Sequence, residues 1–219
     1  RAVVLHGSVA RGEAVEGVSD VNLLVLVDAA DPLLLRTLAP RAREWLEKER
    51  ALPLLFGWDE WQASMDAFAI ETADMLEARE ILAGEDPLAD AAVDPAELRL
   101  QAERELRGKL VHLREGMLVA ADRPAELGRL LLTALPSVAT YLRAALRLAG
   151  KPVPGTTPAV FREASGLLGQ EPAALERLWE QRGRREVPAP EVGDPAVVAV
   201  HAVLVATVAY VDTLSGDQR

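Results

Sequence analysis

The apolar residues of this 219-residue chain change their period near residue 94, and that change limits the fold more than any other feature. Before it, short apolar runs stand between turn signals: Ala2-Val3-Val4-Leu5, Val21 to Val27, Leu52 to Phe56, and Phe68 to Ile70. Runs of this kind read as strands. A helical stretch over about Pro32 to Arg50 separates the second run from the third. Asp31 is its natural N-cap and Pro32 fits the first helical position, whereas Pro40 should kink or split it. Strands alternating with helices give a small mixed α/β unit.

From Asp94-Pro95 onward the period becomes helical. Leu98, Leu106, Leu110, Leu113 and Leu118 recur at three- and four-residue steps over 96–121, and Leu127, Leu130, Leu131, Leu135, Val138 and Leu142 do so over 124–149. Shorter helices are predicted at 158–168 and 171–182. A last one, about 194–214, is so rich in Ala and Val that burial on most sides is expected. The chain therefore reads as an α+β protein: a small mixed-sheet domain over 1–94, then an all-α helical bundle over 95–219.

Composition narrows the functional classes. Acidic side chains number 34 against 24 basic ones, a formal net charge of −10. Non-specific binding to nucleic acid or anionic lipid needs surplus Lys and Arg, so a polymer or membrane partner is not expected. The apolar runs, 195–211 included, read as too short or too interrupted for a membrane span. There is no cysteine, which removes disulfides, thiolate metal sites and thiol nucleophiles, and fits the reducing cytoplasm.

One segment carries chemistry: Leu5-His6-Gly7-Ser8-Val9-Ala10-Arg11-Gly12, then Ser19-Asp20-Val21-Asn22-Leu23-Leu24-Val25. A strand ending at His6 and turning at Gly7-Ser8 into a short helix would bring backbone N–H groups and a hydroxyl close to a phosphate. A second strand beginning at Asp20 would place Asp20 and Asn22 on one face, two oxygen ligands for Mg²⁺ beside that cradle. Arg11 either reaches phosphate or pairs with a nearby acid such as Glu13.

These residues resemble the nucleotidyltransferase superfamily, the group related to DNA polymerase beta and to aminoglycoside nucleotidyltransferases. Its signature is Gly-Ser or Gly-Gly, a gap of about a dozen residues, then Asp-x-Asp or Asp-x-Glu inside an apolar strand. Here Gly7-Ser8 is followed, after eleven residues, by Asp20-Val21-Asn22. The resemblance covers residues 1–94, and a helical bundle after the catalytic domain is similar to the kanamycin nucleotidyltransferase arrangement. It implies Mg²⁺ held by Asp20, Asn22 and a third acid on a later strand. Phe68-Ala69-Ile70-Glu71 is the matching segment, with Glu71 the first choice and Asp74 the second. It further implies a nucleoside triphosphate, ATP first, on Gly7, Ser8 and Arg11, with Asp20 and Glu71 catalytic. The product would be a nucleoside monophosphate on a hydroxyl of a small molecule or protein. The helix that usually precedes the first strand is missing, so upstream residues are expected.

Asn22 departs from the pattern by replacing a carboxylate. A neutral carbonyl oxygen can ligate one Mg²⁺ but bridges two poorly, so binding could survive where fast transfer does not. The alternative is a catalytically degenerate module that senses nucleotide or binds a partner, in the manner of a toxin–antitoxin pair. In the bundle, Glu103 and Glu105 are candidate general bases by the same resemblance, against a simpler reading as a charged solvated face. Arg107 and His112 are similar in spacing to an arginine–histidine ribonuclease motif, again against a plain charged face. His6 and His201 read as satisfied structural histidines. Exposed apolar residues on the bundle helices make a homodimer the expected assembly.

Overall fold

The computed structural model describes residues 1–49 and 51–214. Arg50, the expected end of the second helix, lies outside the described residues. The chain divides into two compact units, Arg1–Glu97 and Leu98–Arg219.

In the first unit, β1 (Ala2–His6) leads into a one-turn helix α1 (Gly7–Ala10), and β2 (Asn22–Val27) follows. Then come α2 (Pro32–Leu46), β3 (Leu54–Gly57), α3 (Trp58–Ser64), α4 (Ala69–Glu77) and β4 (Arg79–Gly84). The four strands form one mixed sheet in the order β3-β2-β1-β4. β1 runs antiparallel to β2 and β4, while β2 and β3 are parallel, as the intervening α2 permits. Asp31 caps α2 by accepting from the Leu34 N–H at 2.8 Å. The helix continues through Pro40 rather than being split by it.

Residues paired across an antiparallel ladder point to one face. Ala2 with Leu26 and Val4 with Leu24 therefore share the face that closes over Trp61, Met75 and Leu88. Phe56, Trp61 and Phe68 meet there, with Phe56 edge-on to each of the other two at 5.4 Å. The next pair along the same face is His6 with Asn22. The core thus ends on a polar rung.

Two expectations fail in this unit. Phe68–Ile70, read as a strand, enters helix α4 instead. Ala69, Ile70, Ala73 and Met75 are all buried, a helical spacing that a three-residue apolar run cannot distinguish from a strand. β2 begins at Asn22 rather than Asp20, so Asp20 precedes the strand and the shared-face argument from strand alternation no longer reaches it.

The second unit is all helical: α5 (Pro95–Ala120), α6 (Pro124–Leu148), α7 (Thr157–Leu168), α8 (Ala173–Glu180) and α9 (Pro195–Thr213). α6 is its centre, packing against α7, α8 and α9. Leu98, Leu106, Leu110 and Leu113 of α5 are buried as their spacing predicts, but Leu118 is 80% exposed, off the buried stripe. α9 is apolar around its whole circumference, yet Val198 and Val205 are exposed, so the expected burial on most sides is not reached. By length and composition α9 could also cross a membrane, contrary to the sequence reading, although it packs here on α6, α7 and α8.

Candidate functional site

The end of the sheet where β1 stops collects most of the residues singled out from the sequence. His6 is level with Asn22 on β2 and with Arg79 on β4. Gly7 then turns the chain with φ of +73°, a conformation that a side chain disfavours. A second constraint acts at the same position. A β-carbon on Gly7 would stand 2.7 Å from Asn22 Nδ2, so the Asn22 amide fills the space that glycine leaves. Gly7 and Asn22 are thus fitted to each other, with Nδ2 the amide atom nearest the glycine.

Ser8 follows in α1, whose first N–H groups have no acceptor within the helix. The loop from α1 to β2 is tied by Ser19, whose Oγ accepts from the Val15 N–H at 2.9 Å while its own N–H donates to the Val15 carbonyl at 2.9 Å. Ser19 was not singled out from the sequence. It anchors the chain just before Asp20, which is half-buried at the mouth of β2.

Arg11 goes elsewhere than expected. Its Nη2 lies 3.1 Å from Asp74 Oδ2, with side chains only 7% and 13% exposed. The guanidinium is tied to α4, sixty-three residues away in sequence. No local spacing signals that pairing. Asp74, the second choice for a third metal acid, is correspondingly held by a cation.

Glu71 sits in the first turn of α4. The strand that neighbours β2, β3, is Leu54-Leu55-Phe56-Gly57 and contains no carboxylate. Among the described residues no three His, Cys, Asp or Glu side chains form a metal-binding group. The expected trio of Asp20, Asn22 and Glu71 differs from such a group in including a neutral amide.

His6 is the feature least visible from sequence. Its Nε2 is buried with no hydrogen-bond partner among the described residues, so the expectation of a satisfied histidine is not met at that atom. Burial holds its pKa below the ordinary imidazole value, and Arg11 lowers it further, against an opposing pull from Asp74. A neutral imidazole, a buried guanidinium and a carboxylate therefore form one cluster behind the Gly7 turn. On β4, Arg79 closes the same end. It donates to both Asp86 oxygens, at 2.8 Å for the shortest bond, and to the last carbonyls of α4 at Met75 and Leu76.

In the bundle, Glu103 accepts from Arg99 at 2.9 Å and from Arg107 at 3.3 Å, and these partners hold its carboxyl below its ordinary pKa, Arg99 foremost. That favours an ion-pair anchor over a proton acceptor. Glu105 accepts from Gln101 at 2.7 Å. Arg107 forks onto Asp212 of α9 at 2.7 and 2.8 Å, and His112 sits on the surface beside Glu115. His201 receives a bond from Arg114 Nε at 3.3 Å.

Compared with known proteins, the chain matches no family model, no curated protein and no solved structure. The class is therefore given by what the chain itself displays: an α+β protein with a four-stranded mixed sheet and a helical bundle, whose glycine turn and asparagine interlock at one sheet end.

Proposed function

We propose that the Arg1–Glu97 unit is a nucleotidyltransferase-like module that binds a nucleoside triphosphate with Mg²⁺ at the Gly7 turn. The observation that carries this reading is the interlock of Gly7 with Asn22 at the end of paired strands. With it, the Gly7 turn, the adjoining Ser8 and the Asn22 amide lie in one neighbourhood, with Asp20 two residues before Asn22. Gly7 and Ser8 would meet phosphate oxygens through N–H and O–H donors. Asp20 and the Asn22 Oδ1 would supply hard oxygen ligands to Mg²⁺. Arg11 takes a positioning part, tying α1 to α4 through Asp74. Bound Mg²⁺ would neutralise phosphate charge and align an attacking hydroxyl.

A second reading, nucleotide binding without transfer, is favoured by a specific set of observations. Asn22 is neutral, Glu71 lies on a helix, and β3 carries no acid. Under that reading the module senses nucleotide or docks a partner. Calorimetric titration of the full chain with each of the four nucleoside triphosphates and Mg²⁺ tests the shared part. Measurable heat with at least one of them is expected, and weaker binding in Ser8→Ala. Silence with all four ends the transferase and nucleotide-sensing readings alike and leaves only partner docking. Labelled nucleotide with candidate hydroxyl acceptors then separates them. Asn22→Asp raises transfer if one missing carboxylate is the deficiency, whereas binding with zero transfer in both forms marks the non-catalytic module.

A further inference from the structure

We propose that a cleft between α5 and α6 in the bundle binds a small carboxylate carrying a short aliphatic tail. It lies in the second unit and rests on residues unconnected with the function proposed above. The cleft measures about 80 Å³ and is lined by Lys109, His112, Leu113, Leu130, Thr133 and Ala134. Its lining combines three hydrocarbon side chains with one cation, one imidazole and one hydroxyl.

Lys109 marks it as more than a surface dent. The chain has three lysines. Lys48 is exposed, and Lys151 pairs with Glu163 at 3.1 Å. Lys109 is half-buried and, among the described residues, makes neither an ion pair nor a hydrogen bond. Burial pushes its ammonium below the ordinary lysine pKa, with no opposing carboxylate. A partly desolvated charge without a partner is unfavourable, and an anion in contact offsets that cost.

Among the described residues none supplies that anion. On a helix, Lys109 has neighbours at three- and four-residue steps, which are Glu105, Leu106, His112 and Leu113. The single acid among them, Glu105, already accepts from Gln101. Glu115 lies against His112 Nδ1 at 3.1 Å, and Glu126 accepts from Arg123. The apolar side is fixed as well. A β-carbon at Gly116 would stand 2.8 Å from both δ-carbons of Leu130, so the glycine leaves Leu130 the space it occupies beside the cleft. One cation matches one carboxylate, the Thr133 hydroxyl can donate to its second oxygen, and Leu113, Leu130 and Ala134 receive a short tail. A phosphate dianion would bring excess charge onto hydrocarbon with a single cation to meet it.

With three lysines, the full chain labelled with ¹³C at lysine Cε gives three signals, assigned by Lys109→Met. Sodium butyrate is titrated at constant ionic strength against sodium chloride and sodium phosphate. The expected result is a saturable shift of the Lys109 signal with butyrate alone, while Lys48 and Lys151 follow chloride. Calorimetry should show butyrate bound about tenfold more weakly by Lys109→Met, as loss of one charge-assisted hydrogen bond implies. A Lys109 response equal to that with chloride overturns the proposal. So does an equal response to phosphate, or unchanged butyrate affinity in Lys109→Met. If the variant does not fold, the unmodified chain's titration decides alone.

Discussion

The two units are built on opposite principles. Residues 1–97 hold 20 acidic side chains against 8 basic ones, a net −12, whereas residues 98–219 hold 14 against 16, a net +2. The whole acidity of the chain therefore belongs to the sheet unit. The sheet unit also draws charge inward, as the Arg11–Asp74 pair and the half-buried Arg79–Asp86 pair show. The bundle keeps most of its charge near the surface; Arg143 of α6 is the exception, buried and donating to Thr157 Oγ1 at 2.8 Å. Arg99, Glu103, Arg107 and Asp212 form one chain of pairs, half-buried at Arg99–Glu103 and exposed at Arg107–Asp212, and the interior is mostly Leu, Ala and Val from α6 and its neighbours. The bundle is thus stabilised mainly by apolar burial. The end of the sheet depends in addition on polar groups that water cannot easily re-solvate.

Truncating the bundle core is the largest test of that contrast. Phe161 is fully buried, edge-on to Trp179 at 5.8 Å, with the Arg182 guanidinium over the other ring at 4.2 Å. Phe161→Ala is expected to cost about 3–5 kcal/mol, read from urea unfolding followed by amide exchange on α6 to α9. A cost under ~1 kcal/mol would mean that the bundle is not held by its apolar interior. Breaking the sheet unit's inner pair comes next. Arg11→Met leaves the Asp74 carboxylate, only 13% exposed, without its guanidinium at 3.1 Å, and about 2–3 kcal/mol is expected. The bundle counterpart Lys151→Ala removes a pair whose members are 42% and 44% exposed and should cost under about 1 kcal/mol. Equal losses from the two would erase the distinction between inner and surface charge.

The same contrast explains what could be read from the residues in advance. The bundle was legible because Leu98, Leu106, Leu110 and Leu113 repeat at helical steps over several turns, enough to fix both element type and buried face. β1 and β2 were legible from apolar runs, and the α1 turn from Gly7-Ser8. The sheet end was not legible beyond that. Phe68-Ala69-Ile70 is too short to reveal its period, so the helix carrying Glu71 and Asp74 was read as a strand. Arg11 finds Asp74 across sixty-three residues, and such a pairing exists only once the sheet has brought α1 beside α4. The unsatisfied Nε2 of His6 follows from the rung it occupies on a covered face, which depends on register. Local pattern therefore specifies the bundle nearly fully, but the site only in its backbone.

Two glycines give a smaller and more pointed comparison. A β-carbon at Gly84 would overlap the Arg1 carbonyl, and one at Gly128 would overlap the Pro188 carbonyl. Gly84 ends β4 with φ of +79°, so Gly84→Ala adds left-handed strain of about 1–2 kcal/mol to the displacement of Arg1, just before β1. Gly128 is helical, and there Ala gains about 1 kcal/mol of helix propensity against the displaced loop. Urea midpoints should therefore fall by about 2 kcal/mol equivalent for Gly84→Ala and by roughly half that or less for Gly128→Ala. The reverse order would show that loop displacement, not backbone conformation, governs both.

The smallest expected effect is a slope rather than a midpoint, and it bears on the polar rung itself. His6 faces Arg11 and Asp74 and is level with Arg79, and burial holds its pKa below the value of about 6.5 that it has in the unfolded chain. Between those two values the unfolded chain binds the proton and the folded chain does not, so stability rises with pH there. The contribution is complete above about pH 6.5 and is lost as the pH falls toward the folded value. His6→Leu keeps the position apolar and removes the titration. Urea midpoints of the sheet unit measured from pH 7.5 to 5.5 should therefore fall more steeply for the unmodified chain than for His6→Leu. Parallel slopes would mean that the imidazole reaches water or a proton acceptor in solution. The sheet unit's dependence on buried polar groups would then be confined to its two arginine–aspartate pairs.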